Sequence, residues 1–173
     1  MRRHLFLVRH AKSAWNQPAA GDHERTLADR GRKALPLMNE YLAASSCQPG
    51  YVWCSSAQRT IETLAGLRSA LPEQADIDID RTVYNANEST VLARLRELTD
   101  DVACAMVVGH NPTMQHVALL LADPLNGDID AYGQVQAKVP TGAIMTISFD
   151  GSWSDLNPGA GRLDDLFMPR PPN

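Results

Sequence analysis

Three apolar runs in the chain are short and continuous, and the first is bounded by polar residues. They cover residues 5–8, 51–54 and 103–108. Runs of this length are typical of strands that are covered on both faces. A fourth segment, residues 76–80, alternates strictly between aspartate and isoleucine, which predicts a strand with one solvated face near the edge of a sheet. A metal site on its carboxylates is the less favoured alternative, since such side chains mostly meet solvent.

Segments with apolar residues at helical spacing follow these strands. Four helices are predicted, beginning near residues 26, 56, 88 and 112, the third ending near residue 99 and the fourth near residue 122. The side chains suited to cap the first, second and fourth helices are Thr26, Ser55 or Ser56, and Asn111. Pro36 lies inside the first helix and is expected to kink it or delay its regular part.

The alternation of strands and helices predicts an α/β fold, a three-layer sandwich with a mostly parallel central sheet and helices on both faces. The C-terminal part is less regular in pattern. Residues 123–133 are rich in Gly and Asp and predict a solvated loop, residues 135–139 and 143–149 predict a closing hairpin, and the chain from about residue 150 is expected to form an irregular tail.

Composition limits the class of protein. With 173 residues, 44% of them hydrophobic and 21% charged, the chain fits one domain with a substantial core. Arg9 interrupts the N-terminal apolar run, which is much shorter than the apolar region of a signal peptide. The three cysteines lack the spacing of metal or redox pairs, which favours reduced thiols in the cytoplasm. A net charge of −4 gives no reason to expect nucleic acid binding, and no segment is suited to a membrane.

Cationic and titratable residues follow three of the predicted strands. Arg9 and His10 end the first strand, Arg59 lies in the first turn of the second helix, and His110 follows the strand that ends near residue 108. Ligands of open α/β sheets bind at the carboxyl ends of the strands, and helix N-termini there favour anions. The three junctions together predict a phosphate site.

The motifs at these junctions resemble the histidine phosphatase superfamily, which includes the cofactor-dependent phosphoglycerate mutases. They are RHAKS at residues 9–13, SSAQRT at residues 55–60 and GHNP at residues 109–112. The chain is most similar to the small SixA-type branch of phosphohistidine phosphatases, and the likeness extends over nearly its whole length. The resemblance implies a phosphoglycerate-mutase-like fold and phosphoryl transfer through a phosphohistidine intermediate.

The resemblance also implies the roles of four residues. His10 is the nucleophile, Arg9 and Arg59 hold the non-bridging oxygens, and His110 donates a hydrogen bond to the charge of the transition state. No metal or other cofactor is implied, because the cations belong to the protein.

Two further residues are candidates for the phosphate site. Asn16 matches a family position that often binds phosphate, with a plain turn residue as the alternative. Arg25 lies just ahead of the first helix, and its alternative is a solvated helix start. Lys12 is expected to be an exposed charge at the rim.

A general acid is less evident. Mutase-like relatives have a glutamate after the third strand, but the corresponding residues 82–87 contain no carboxylate. Glu88 is the nearest candidate acid, although a carboxylate in a first helical turn needs no catalytic reason. A phosphoramidate requires an acid less than an alkyl ester does, because imidazole can leave as a neutral molecule. We therefore expect a phosphohistidine-bearing protein as substrate, with a phosphomonoesterase for a small metabolite as the alternative and a non-catalytic phosphate-binding module as the less favoured one.

Overall fold

The computed structural model describes residues 1–16 and 21–171, which form one seven-stranded sheet with helices on both faces. The strands are β1 (Arg2–Arg9), β2 (Tyr51–Ser55), β3 (Asp76–Asp80), β4 (Cys104–Gly109), β5 (Ala122–Gly127), β6 (Ile144–Asp150) and β7 (Gly161–Phe167). The helices are α1 (Asp29–Ala43), α2 (Gln58–Leu67), α3 (Glu88–Arg96), α4 (Thr113–Leu121) and α5 (Ile129–Ala137). Short 3₁₀ turns occur at Arg68–Ala70, Val83–Asn85 and Trp153–Asp155.

The sheet has the strand order β3-β2-β4-β1-β6-β7-β5. Strand β6 runs antiparallel to both of its neighbours, β1 and β7, while the remaining pairings of described strands are parallel. The α/β fold with a mostly parallel sheet is thus confirmed. Strand β3 lies at the edge, as its alternating sequence predicts.

Each face of the central strands is covered by its own hydrophobic core. Leu5 and Leu7 of β1 pack with residues of α3, α4 and α5, whereas Phe6 and Val8 pack with residues of α1 and α2. Because consecutive side chains of a strand point to opposite faces, a strand between two helical layers has to be apolar at every position. The continuous apolar run at residues 5–8 follows directly from this requirement.

The C-terminal part differs from the sequence-based prediction. Residues 129–137 form α5, capped by Asp128, so the predicted strand at residues 135–139 and its hairpin are wrong. The predicted loop at residues 123–133 contains β5 and the start of α5. The tail predicted to be irregular from residue 150 contains β7, which pairs with β6 and β5. A register shift opposite Thr146 and Ile147 interrupts the alternation of buried and exposed residues in β7, which explains why its pattern does not indicate a strand.

The predicted helix caps also differ. Thr26 and Ser55 or Ser56 are not the N-caps, because α1 and α2 begin after Ala28 and Ala57, which have no capping side chain. Helix α1 continues through Pro36. Near the start of α1, the backbone N–H of Leu27 donates a hydrogen bond to the Glu62 carboxylate of α2 at 2.8 Å.

A glycine in α1 brings the loop after β1 against this helix. The backbone N–H of Ala28 donates to the carbonyl of Lys12 at 2.8 Å, and a Cβ atom on Gly31 would lie 2.2 Å from that same oxygen. The neighbouring atom is backbone, so it cannot move aside by a rotamer change. Gly31 is therefore required for the close packing that fixes the chain two residues beyond His10.

We expect Gly31→Ala to lower the free energy of unfolding by about 1–3 kcal/mol, because the overlap outweighs the better helix propensity of alanine. Gly133→Ala is the matched control: Gly133 is exposed on α5, and a Cβ atom added there would have no neighbouring atom within 4 Å. The control should be neutral or stabilising by up to ~1 kcal/mol. Urea unfolding of the two variants measures the difference, and equal midpoints would contradict the packing argument.

Candidate active site

The carboxyl ends of three adjacent parallel strands form one edge of the sheet. The strands β2, β4 and β1 end at Ser55, Gly109 and Arg9, and His10 and His110 follow directly. The two imidazole rings have centroids 5.3 Å apart, and the Nη2 atom of Arg59 lies 3.3 Å from Nδ1 of His110. The structure thus brings together the residues that the sequence places at separate junctions.

The position and tautomer of His10 are fixed by backbone groups. Its own N–H donates to the Gly109 carbonyl at 3.1 Å, and its carbonyl accepts from the N–H of Gly142 at 2.9 Å. The ring Nδ1 lies 2.7 Å from the carbonyl oxygen of Ala11. Because a carbonyl can only accept, Nδ1 carries the proton, and Nε2 of the neutral ring has a free lone pair.

Both histidines of the site are held in the neutral form. Burial, together with the positive charges of Arg59, Arg9 and Arg25 and against the opposing hydrogen bond to Ala11, lowers the pKa of His10 to about 4. Burial, together with His10 and Arg59, lowers the pKa of His110 to about 3. At neutral pH both imidazoles are therefore unprotonated at one nitrogen.

The guanidinium of Arg59 is buried, with 6% of the residue exposed. It donates to the backbone carbonyl of Asp22 at 2.6 Å, to Oδ2 of the same residue at 3.1 Å and to Nδ1 of His110. Since a guanidinium only donates, Nδ1 of His110 accepts and the proton lies on Nε2, which donates to Oγ of Ser55 at 2.8 Å.

Sequence reasoning missed Asp22, the carboxylate that this site contains. Its Oδ2 atom accepts a hydrogen bond from the Tyr84 hydroxyl at 2.6 Å, and its Oδ1 accepts from Nη1 of Arg25 at 2.8 Å. The hydrogen bond from Tyr84, followed by the interactions with Arg25 and Arg59, lowers the pKa of Asp22 below its usual range. Asp22 is consequently ionised at neutral pH. The signal in the sequence is faint, an aspartate in a polar segment three residues before a candidate phosphate ligand.

Arg9 lies beside His10 and is half-buried. Its Nη1 atom donates to the carbonyl of Val139 at 2.7 Å, and burial lowers its pKa. Asn111 donates to the same carbonyl from Nδ2 at 3.3 Å. Helix α4 begins at Thr113 and has Pro112 at its N-cap position, so the predicted N-cap role of Asn111 is wrong. Within the described part of the chain, Nε of Arg9 has no hydrogen-bond partner.

The other two candidate phosphate ligands differ in their surroundings. Arg25 lies at the edge of the site, where Nε donates to the Ala14 carbonyl at 3.0 Å, Nη2 donates to Oγ of Ser13, and Cζ stacks 3.5 Å above the ring of Trp15. Its charge also lowers the pKa of His10. Asn16 is exposed at the end of the first described stretch. Its side chain has no hydrogen-bond partner among residues 1–16 and 21–171.

Glu88 lies in the first turn of α3, as its sequence position predicts. Its carboxylate is 3.8 Å from Nδ1 of His116 on α4. Within the described part of the chain, the Glu88 carboxylate forms no hydrogen bond or ion pair with His10, His110, Arg9 or Arg59. The stretch expected to carry a mutase-like acid contributes the hydroxyl of Tyr84 to the site instead.

Residues 1–16 and 21–171 contain no group of three or more His, Cys, Asp or Glu side chains arranged to hold a metal ion. Two of the three edge-strand carboxylates have protein partners: Asp78 pairs with Arg94 at 2.5 Å, and Asp80 accepts from Nε1 of Trp53 at 2.8 Å. Among the described helices, none combines the length and the apolar character that crossing a membrane requires. Cys47, Cys54 and Cys104 are free.

Known proteins resemble this chain in sequence and in structure. The model of the histidine phosphatase superfamily (branch 1) matches residues 5–83. An uncharacterized protein of Mycobacterium tuberculosis is 33% identical over 163 residues, which are 94% of this chain and 100% of that protein.

Two solved structures extend the comparison over the whole fold. A protein from Nakamurella multipartitia assigned as the phosphohistidine phosphatase SixA is 26% identical, with a TM-score of 0.83 over 98% of this chain and 97% of that one. A protein from Agrobacterium tumefaciens with the same assignment is also 26% identical, with a TM-score of 0.78 over 96% and 98% of the two chains. The chain belongs to the histidine phosphatase superfamily, in its SixA-type branch, and is a phosphatase that works through a histidine.

We expect the ring protons of His10 and His110 to keep the chemical shifts of neutral imidazole from about pH 8 down to about pH 5 in an NMR titration. The pKa values near 4 and 3 require this. The unfolded chain takes up protons near pH 6.5, so these two rings make folding stability decrease as the pH falls from about 6.5 towards 4. His10→Gln and His110→Gln variants assign the signals, and midpoints near 6.5 would contradict burial in the neutral form.

Proposed function

We propose that this member of the SixA-type branch hydrolyses phosphohistidine in a protein substrate, through a phosphoryl group carried transiently on Nε2 of His10. One observation carries the proposal. The site combines a neutral nucleophile and several guanidinium groups with a single described carboxylate, Asp22, whose lowered pKa keeps it ionised. Such a site stabilises phosphoryl charge well but has no carboxylic acid to protonate a departing alkoxide.

A phosphoramidate suits these residues in the first step. Nε2 of His10 forms a bond to phosphorus while the bond between phosphorus and the substrate imidazole breaks, and the electron pair of that bond goes to the substrate nitrogen. If the other nitrogen of the substrate ring already carries a proton, the ring leaves as neutral imidazole. The proton on Nδ1 of His10, held by the Ala11 carbonyl, remains in place as positive charge develops on the phosphorylated ring.

Hydrolysis completes the cycle. A water oxygen bonds to phosphorus, the bond to Nε2 breaks, and its electron pair returns to His10 while the proton of the water leaves to phosphate or solvent. His10 recovers the tautomer that the structure shows, so the ring needs no rotation between turnovers.

The surrounding donors are suited to hold the phosphoryl oxygens. Arg59 presents a planar fork of N–H groups that matches two oxygens, and Arg9 and Arg25 add charge that acts on His10. His110 has a proton on Nε2, from which it donates a hydrogen bond to Oγ of Ser55. A phosphoryl oxygen can replace Ser55 as acceptor and so receive a hydrogen bond from a neutral ring.

The proposal predicts an acid-labile phosphate on His10. The enzyme is mixed with a phosphohistidine-bearing phosphotransfer protein or, in parallel, with a phosphoserine peptide, quenched at short times and mapped by mass spectrometry. We expect an adduct and rapid turnover with phosphohistidine only, both lost in His10→Ala. His116→Ala is the control, because His116 is half-exposed on α4 and pairs with Glu88. Equal adducts from phosphoserine would favour the small-metabolite phosphomonoesterase, and no adduct from either substrate would favour a non-catalytic phosphate-binding module.

We further expect Arg59→Ala to lower turnover by about 10²–10³-fold, the usual effect of removing one donor to a transition state. Inhibition by vanadate should weaken as well, because the same guanidinium would hold the oxygens of the inhibitor. Arg68→Ala is the control: Arg68 donates to the carbonyls of Pro72 and Glu73 outside the site. Circular dichroism checks that both variants fold, and unchanged vanadate inhibition in Arg59→Ala would remove Arg59 from the phosphate site.

A further inference from the structure

A cavity of about 320 Å³ adjoins the site and is lined by cations. Four of its lining residues are Arg9, Lys12, Arg30 and Lys138, and none of its lining residues is acidic. The chain as a whole carries a net charge of −4, so a cavity wall with four cations and no carboxylate runs against the average charge of the protein. A local excess of this kind raises the concentration of anions in the cleft.

Three of these cations have no ion-pair or hydrogen-bond partner among the side chains and backbone of the described residues, namely Lys12, Arg30 and Lys138. Nearby arginines do have such partners. Arg32, on the same helix as Arg30, pairs with Asp29, and both Arg25 and Arg59 pair with Asp22. Their charges are therefore available to a ligand.

The cavity is lined by residues on both sides of the nucleophile in sequence. Arg9 lines it and immediately precedes His10, while Lys12 follows two residues later. Two further lining residues, Pro140 and Thr141, lead to Gly142, whose N–H donates to the carbonyls of Arg9 and His10 at 3.1 and 2.9 Å. Arg9 therefore connects the cavity wall to the residue that carries the phosphoryl group in the proposed reaction.

We infer that this cavity binds a second anionic group of the substrate, a carboxylate or a phosphate, close to the phosphoryl group that is transferred. The inference rests on the proposed phosphatase function and adds a recognition element to it. The cavity has room for a side chain or a phosphate group. Lysine ammonium groups and a guanidinium bind either anion, so the shared requirement is negative charge. For a phosphohistidine protein, the group would be an acidic side chain beside the phosphohistidine.

A binding experiment tests the cavity independently of hydrolysis. Calorimetry compares alkyl monophosphonates with bisphosphonates that have short alkyl linkers, on the wild-type chain and on the Arg30→Gln/Lys138→Gln double variant. We expect the wild type to bind one of the bisphosphonates more tightly, and the double variant to lose about 3- to 10-fold in that affinity, as expected for two exposed cations, with no change for the monophosphonate. Lys33→Gln is the matched control, because Lys33 is exposed on α1 but does not line the cavity.

A kinetic experiment identifies the source of the anion. Phosphohistidine peptides with glutamate or glutamine beside the phosphohistidine are compared, and the double variant should raise KM for the glutamate peptide alone while kcat stays unchanged. Loss of the bisphosphonate preference in the double variant without activity on either peptide would support the cavity while contradicting the protein substrate. Equal effects on monophosphonates and bisphosphonates, or no effect of the double variant, would overturn the inference.

Discussion

The ion pair between Asp22 and Arg59 is the interaction on which the arrangement of the site depends. Arg59 is almost fully buried, and a buried guanidinium is costly unless a charge or several acceptors compensate it. Asp22 supplies a carboxylate and a backbone carbonyl to this single side chain, and it also accepts from Tyr84 and Arg25. The segment before α1 is thereby tied to α2 and to the turn after β3. In the proposed reaction a phosphoryl group would also bring negative charge and oxygen acceptors to this guanidinium, so phosphate binding would exchange one set of acceptors for another.

The same cations have a second effect, which concerns the nucleophile. A histidine that attacks phosphorus must be neutral, and a histidine that binds near phosphate would ordinarily gain a proton from the attraction of the anion. Burial and the charges of Arg9, Arg25 and Arg59 act against that protonation. The arginines that would hold the phosphoryl oxygens in the proposed reaction therefore also act, together with burial, to keep Nε2 of His10 unprotonated.

The sequence was informative where local pattern and tertiary environment agree. Strands β1, β2 and β4 are buried on both faces, so their apolar runs predict both their existence and the edge at which Arg9, His10 and His110 meet. The prediction failed where a tertiary contact decides the structure. Strand β7 is interrupted by a register shift, and α5 has a pattern too weak to separate it from a strand. Asp22 lies in a polar segment without regular structure, and its role in the site depends on contacts with residues 37 and 62 positions further along the chain.

A phosphatase site has to hold the phosphoryl group and, for some substrates, to protonate the leaving group. The positions of the carboxylates bear on the second of these tasks. The Asp22 carboxylate accepts hydrogen bonds from Tyr84, Arg25 and Arg59, and none of the residues that line the adjoining cavity is acidic. An enzyme for alkyl phosphate esters needs a proton donor at the leaving oxygen, and its carboxyl group must be free to gain a proton. Here the hydrogen bond from Tyr84, together with the contacts to Arg25 and Arg59, lowers the pKa of Asp22, so the contacts that hold this carboxylate in place also weaken any acid function of the residue. This arrangement supports the proposed preference for leaving groups that depart without a strong acid, and in that proposal discrimination among such substrates would depend on charge outside the ion pair of Asp22 and Arg59, where Lys12, Arg30 and Lys138 lie.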